Sequence, residues 1–465
     1  MYRHGGTRLE PSEIMRHEDC FLYRYEGEDT PDILFLQGSP YHRGYAHGVL
    51  LADRIALSCA HILTILYGMA GGYTGGEGTP PAPGQIAQGK ARMLAAVEEN
   101  LLPAIRQELP EFFDELRGLT EGVQTRYPDL PWEDMLILNT VPESVESPHG
   151  CSNVIAFGDA TADGGLIHGI NMDYNSLGVF HRGVSLCFVK SDRGNAYLCT
   201  SFNGSMAPMS FLNDKGISYG EMTSNTTERH WPQLPHWLQA KLYAGCAKTL
   251  DDALAIGRRT GGTTGFVNFL CQGQQGISIE TAGELMSVRH PGEDRLKLPG
   301  LMFTTNFFGV FTPADAPGSL IRGQIEAMDR GHPALMGRRA ELLTVRSLSQ
   351  WIDLVDCPRY HAFESRLPML YGKLDAQSMM ALMSGFPISR GGENLPPLHI
   401  FCEDAPLPYG LPPERLSSRE LASVYCLVTE PEKGVVHIAA GLEPAQAGRF
   451  LTVSIEEGLS ILTDG

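Results

Sequence analysis

Apolar and polar positions follow two different periods along this chain. Residues 1–30 are mostly polar and give no readable pattern. "ILFLQG", from Ile33, is strand-like, and apolar residues then recur at helical spacing from about Tyr41 to Met69. "GGYTGGEGTPPAPG", Gly71 to Gly84, reads as a loop from its glycines and prolines. A second helical stretch runs from Gln85 to about Leu119, interrupted at Pro103 and Pro110. "LPWEDMLILNT" predicts another helix, with Pro131 and Trp132 at its first turn. Residues 1–150 are therefore expected to be mainly helical.

From Cys151 the period shortens. "SNVIAF", "GGLIHGINM", "VSLCFVK", "NAYLCTSF", "MSFLNDKGISYGEMT", "FVNFLC", "GISIETA", "LMSVRH" and "LMFTTNF" are short β-type runs. Turn signals such as "ADGG", "SDRGN", "NDKG" and "GQQG" separate them. Helical patterns interrupt at "LPHWLQAKLYAGCA", "TLDDALAIGRR" and about Ser319 to Leu354, and "LASVYCLVTEPEKGVVHIAAG" returns to strands. Many antiparallel strands with helices in blocks predict a layered α+β fold rather than a doubly wound one.

A chain of 465 residues with 43% hydrophobic and 19% charged residues is ordinary for a globular protein. No apolar run reaches eighteen residues, so no membrane span is expected. The start lacks the apolar core and cleavage site of a secretory signal. The ten cysteines form no Cys-x-x-Cys pair and are too sparse for a disulfide scaffold. A reducing cytoplasm with free thiols is the expectation. The net charge of −18 argues against a nucleic-acid partner.

Familiar chemical motifs are missing. There is no G-x-S-x-G elbow, P-loop, H-E-x-x-H or metal-spaced Cys/His cluster. The fifteen histidines are dispersed, and neither a metal nor a cofactor is expected. A papain-like pair would place its cysteine near a helix start, whereas Cys151 heads a strand pattern.

Several separated motifs nevertheless occur in a telling order: "LQGSPYHRGYAHG" (Leu36–Gly48), "LNTVPE" (Leu138–Glu143), "GCS", "GINMDY", "FLNDKGISYG", "FTTNFF" and "LASVYCLVTEPEKGVVHIAAGLEP". Together, over roughly residues 33–455, the chain resembles the acyl-coenzyme A:6-aminopenicillanate acyltransferase family of N-terminal nucleophile hydrolases, related to the choloylglycine hydrolases. The resemblance implies a four-layer αββα sandwich of two antiparallel sheets and self-cleavage between Gly150 and Cys151. Residues 1–150 would form a small chain and 151–465 a large one, remaining associated as one compact unit.

By the same resemblance Cys151 is the nucleophile, Asp173 the carboxylate that orients or supports its α-ammonium through a hydrogen bond, and Asn306 an oxyanion donor. The chemistry is coherent. A thiol is strongly nucleophilic, and a free α-amine, with a reference pKa of about 7.7–8.0, can serve as its base. The bland alternative for Asp173 is a strand-end turn residue. Tyr174 and Glu221 are candidate substrate contacts, with Glu221 meeting a substrate amine; its bland reading is a solvated strand residue. Departures from the family pattern are Val141 where an Arg is expected, and "IFCED" (Ile400–Asp404) where a cation is expected. The family's Ser-Arg pair corresponds to Ser389-Arg390 or to Ser418-Arg419.

The sequence thus predicts an autoprocessed amidohydrolase or acyltransferase for a small N-acylated compound, with an acceptor amine if it transfers. No membrane partner is expected, and homo-oligomerisation is left open. The alternatives are an unprocessed, non-catalytic binding protein of the same fold and a conventional Cys-His hydrolase.

Overall fold

Strands begin earlier than the sequence pattern suggests. The computed structural model describes residues 1–73, 80–140, 150–174, 180–224, 229–306, 308–309, 358–384, 408–410, 422–442 and 444–464. Ahead of the first helix it holds β1 (Arg3–His4), β2 (Thr7–Arg8), β3 (Glu13–His17), β4 (Cys20–Arg24) and β5 (Asp32–Gly38). β3 is a sheet edge with largely exposed side chains, so it needs no apolar run and leaves no period to read.

The helix expected from Tyr41 to Met69 is broken. α1 (Pro40–Leu50) starts on Ser39, whose Oγ accepts from the His42 amide. At Leu51 (φ −118°, ψ 19°) the chain turns by 85° before α2 (Ala52–Ser58) and α3 (Thr64–Ala70). Neither Gly nor Pro marks the break; α1 is held instead by its own partner. α4 (Pro83–Asn100), α5 (Leu102–Glu108), α6 (Phe112–Gln124) and α7 (Trp132–Leu138) follow, with Pro103 in the first turn of α5 and Pro110 between α5 and α6. A Cβ on Gly44 would stand 2.0 Å from Glu115 O, and one on Gly118 2.2 Å from Tyr41 O. These glycines let the α1 and α6 backbones touch.

Part of the "LQGSPYHRGYAHG" motif is explained here as structure. Arg43 Nη2 and Lys241 Nζ both donate to Glu115 Oε2, at 3.1 and 2.8 Å, and all three are buried. Such an arrangement is costly to break, because losing one partner strands the others in a dry interior.

The rest of the chain is β6 (Gly150–Ala156), β7 (Ile167–Tyr174), α8 (Phe180–Gly183), β8 (Val184–Ser191), β9 (Tyr197–Phe202), β10 (Ser210–Asn213), β11 (Ser218–Thr223), α9 (His236–Cys246) and α10 (Leu250–Thr260). Then come β12 (Gly265–Gln272), β13 (Gln275–Ala282), β14 (Leu285–Arg289), β15 (Leu301–Thr304), α11 (Pro358–Leu370) and α12 (Ala376–Ser384). β16 (Ala422–Glu430), β17 (Val435–Ala440), β18 (Leu451–Ser454) and α13 (Ile455–Asp464) complete it. The expected helix at Ser319–Leu354 lies outside the described residues.

Two sheets result. One has the order β15-β6-β7-β16-β17-β18-β1-β2, the other β14-β13-β12-β11-β10-β9-β8-β5-β4-β3. Every pairing among the described strands is antiparallel except β5 with β8. On the outer face of the first sheet, Val154, Ala156, Phe303 and Cys426 pack with Phe363 and Leu367 of α11 and Met379 and Met383 of α12. The alternate positions, Ile155, Ile170 and Leu427, join the core shared with the second sheet. α1, α9 and α10 pack on the second sheet, at β5, β10 and β12–β13. The fold is α+β with helices outside two stacked, mainly antiparallel sheets, as expected.

Residues 1–150 are more than a helical cover. β5 inserts between β4 and β8, pairing with β8 over seven positions, and β1 pairs with β18. Tyr409 Oη also donates to buried Asp134 of α7. Among the described residues, no single helix is long and apolar enough to cross a membrane.

Candidate active site

Strand register assembles the site. β6 and β7 pair so that Gly150 faces Asp173 and Cys151 faces Met172. β15 lies on the other side of β6 with Thr304 opposite Asn153. Two residues further along, Asn306 therefore arrives beside Cys151. Residues separated by 155 positions in sequence meet because three neighbouring strands share one register.

The peptide N–H of Cys151 donates to Asn306 Oδ1 at 2.8 Å. Asn306 Nδ2 donates to the Thr223 carbonyl at 2.8 Å, tying the end of β15 to the end of β11 in the other sheet. Arg359 Nη2 donates to the same Asn306 Oδ1 at 2.9 Å. An amide N–H and a guanidinium can only donate, and a carbonyl can only accept. Together they fix the orientation of the Asn306 amide. In this arrangement its oxygen holds the Cys151 nitrogen, while its nitrogen is engaged by Thr223.

Arg359, on α11, contacts all three residues singled out in the sequence. Nη1 donates to Cys151 O at 2.6 Å, to Ser152 Oγ at 3.2 Å and to Asp173 Oδ2 at 3.5 Å. Ser423 Oγ donates to Asp173 Oδ1, and Gln446 Nε2 donates to Ser423 Oγ. Both oxygens of Asp173 are thus engaged.

The electrostatics are those of a dry site. Cys151 is 3% exposed. Burial pushes its thiol well above the ordinary range, and the charges of Glu221 and Asp173 push it further. The Asp173 backbone N–H and the Arg359 guanidinium pull in the opposite direction. Asp173 is itself raised by burial, with Arg359 and Ser423 opposing. A thiol so placed needs a base before it can attack.

Glu221 is not the solvated strand residue of the bland reading. It is 7% exposed, and its Oε2 has no hydrogen-bond partner among the described residues, with His236 Nε2 at 3.6 Å. Tyr174 ends β7, and its side chain lies outside the described residues. Val141, Ile400–Asp404, Ser389-Arg390 and Ser418-Arg419 lie there too. Among the described residues no histidine is hydrogen-bonded to Cys151. Buried His168 uses Nδ1 on Ser218 Oγ and Nε2 on Asn153 Oδ1, both at 2.9 Å.

No protein-family model matches this chain. An uncharacterized protein of Archaeoglobus fulgidus is 26% identical over 205 residues, covering 40% of this chain. The match spans about a third of that relative's length, 32%. Similar solved structures include the Caenorhabditis elegans ortholog of N-acylethanolamine-hydrolyzing acid amidase. It is 13% identical with a TM-score of 0.38, over 65% of this chain and 99% of that one. A variant of conjugated bile acid hydrolase from Clostridium perfringens is 12% identical with a TM-score of 0.37, over 66% and 93% of the two chains. Penicillin V acylase from Agrobacterium tumefaciens is 11% identical with a TM-score of 0.37, over 63% and 84%.

Sequence reasoning missed Arg359, Ser423 and Gln446. Ser423 sits inside the "LASVYC" motif, where a polar residue in an apolar strand could have raised the question. Arg359, in "CPRYHAF", carries no local signal.

Proposed function

We propose that this chain is a thiol amidohydrolase that cuts itself at Gly150-Cys151 and then acts on the acyl group of a small N-acylated compound. One observation carries the reading: the Cys151 nitrogen is held by the carboxamide of Asn306. A strand N–H is ordinarily met by a neighbouring strand's carbonyl. Here a side chain takes that place, and Arg359 and Thr223 leave it no other orientation.

In the intact chain this nitrogen is an amide and cannot accept a proton. Cys151 Sγ adds to the Gly150 carbonyl carbon, the C–N bond breaks as the nitrogen takes a proton, and a Gly150 thioester forms. Water cleaves that thioester, giving the Gly150 carboxylate, a free thiol and an α-amine. The amine then takes the thiol proton, and the thiolate attacks the substrate's acyl carbon. The leaving amine departs with the proton, and the acyl group remains on sulfur. Release to water makes the enzyme a hydrolase; release to a second amine makes it a transferase. Asp173 and Arg359 set the local charge, and Glu221 meets a cationic group of the substrate.

The test is a panel of N-acyl amino acids, N-acyl amines and β-lactams assayed for released amine. Release by the wild type and none by Cys151→Ala supports the reading. Cleaved, folded protein that releases amine from no member of the panel argues against it.

A further inference from the structure

At the far edge of the ten-stranded sheet, three side chains of metal-binding type converge on one point. Asp19 and Cys20 stand at the tip of the β3–β4 hairpin, where His17 pairs with Cys20 across a two-residue turn. His42 lies in the first turn of α1. Its Nε2 is 2.6 Å from Asp19 Oδ1 and 3.8 Å from Cys20 Sγ, and those two atoms are themselves 3.8 Å apart.

Both partners approach the same ring nitrogen, which decides between two chemistries. A Cys-His-Asp proton relay requires the carboxylate on one imidazole nitrogen and the thiol on the other. Here Asp19 and Cys20 share Nε2, the convergence expected around a cation. The other nitrogen, Nδ1, has Glu18 Oε2 at 3.5 Å, and such an outer carboxylate typically orients a metal-bound imidazole. Glu18 adopts φ 51°, a conformation that costs a non-glycine residue, and Glu18 and Asp19 thereby reach the two nitrogens of one ring. Cys20 is fully buried, and the Gln37 amide donates to its Sγ at 3.5 Å. Burial pushes the Cys20 thiol up, with the Gln37 amide opposing, so a bound cation is what would deprotonate it.

We propose that Asp19, Cys20 and His42 bind Zn2+, with Glu18 steering His42 and water completing a tetrahedral shell. Ligands at about 2.0–2.3 Å from a tetrahedral ion stand roughly 3.3–3.8 Å from one another. The two sulfur separations are close to this already. The Asp19–His42 separation opens once the hydrogen bond between them is replaced by the ion. Binding releases the thiol proton, and any Nε2 proton, to solvent. One sulfur, one nitrogen and one oxygen suit zinc, not calcium or magnesium, which take oxygen ligands. β4 lies five strand steps from β11, about 24 Å at ~4.8 Å per step, so this site is separate from Cys151. The sequence hid it because Cys20 and His42 follow no metal-ligand spacing.

Full-length protein stripped with a chelator and titrated with Co2+ should bind one ion per chain. A strong near-ultraviolet thiolate-to-cobalt band should appear and be removed by added Zn2+. Cys20→Ser should lose the band, His42→Gln should lose the ion, and Glu18→Gln should weaken binding by about 10–100-fold. Cys151→Ala should keep the band unchanged. If Cys20→Ser does not fold, Asp19→Asn carries the same test by loss of binding. The proposal is overturned if the wild type binds no Co2+, if Cys20→Ser keeps the band, or if Cys151→Ala abolishes it.

Discussion

The backbone nitrogen of Cys151 and the carboxamide oxygen of Asn306 are 2.8 Å apart, and this contact links the chemistry of a thiol to the architecture of two sheets. Asn306 Nδ2 grips the Thr223 carbonyl at the end of β11 in the opposite sheet. The Cys151 nitrogen is therefore positioned by the stacking of the sheets themselves.

Asn306→Ala should remain folded and lose turnover by about a hundredfold or more, the lower range of what general acid–base catalysis contributes, because the Cys151 nitrogen that serves as the base loses the carboxamide that positions it. Steady-state kinetics on cleaved protein measures this. Near-normal turnover in cleaved Asn306→Ala would take the residue out of the site.

Arg359→Met removes the guanidinium hydrogen bonds to Cys151 O, Ser152 Oγ, Asp173 Oδ2 and Asn306 Oδ1, and a hydrogen bond to a charged group contributes about 1.5–3 kcal/mol. Turnover should fall at least about tenfold. The Cys151 thiol, relieved of the cation that lowers it, should react more slowly with iodoacetamide at a given pH. Arg359→Lys should not restore turnover, because a point charge cannot span Cys151 O and Asn306 Oδ1 with two nitrogens. Full rescue by lysine would reduce Arg359 to a charge.

For Glu221→Gln the direction reverses. The Glu221 charge raises the thiol, so its removal should shift alkylation of Cys151 to lower pH. Any preference for cationic over neutral substrates should shrink in the same variant. An unmoved alkylation profile, read by mass at Cys151, would show that Glu221 does not act on the nucleophile.

Burial pushes His168 down to about 3 from an ordinary value near 6.5. The ring stays neutral in the fold while the unfolded chain takes up a proton. Stability is thus fully present above pH 6.5 and is lost as pH falls from 6.5 toward 3. Between pH 6.5 and 4.5 the wild type should lose about 2 kcal/mol more than His168→Gln. Parallel urea midpoints for the two proteins over this range would refute the assignment.

What the sequence disclosed, and what it hid, follows from range. Cys151, Asp173 and Asn306 were singled out by the resemblance that "GCS", "GINMDY" and "FTTNFF" carry, and the shared register of β15, β6 and β7 is what brings these positions together. The turn glycines were equally clear, with Gly194 and Gly216 at φ 97° and 79°. Arg359 was not, because its meaning lies wholly in partners on three other elements. The break at Leu51 was hidden because neither Gly nor Pro causes it; α1 is fixed by glycine contacts with α6, some seventy residues away. β3, a half-exposed edge strand, had no apolar face to announce it.

The central claim is that Cys151 works as a new N-terminus. Denaturing intact-mass measurement and amide-hydrolysis assay on one sample test it directly. The account predicts two polypeptides, residues 1–150 and 151–465, that separate only on denaturation, with activity rising in step with cleavage. Cys151→Ala should give one uncut, inactive chain. Full activity from an intact 465-residue polypeptide would contradict it.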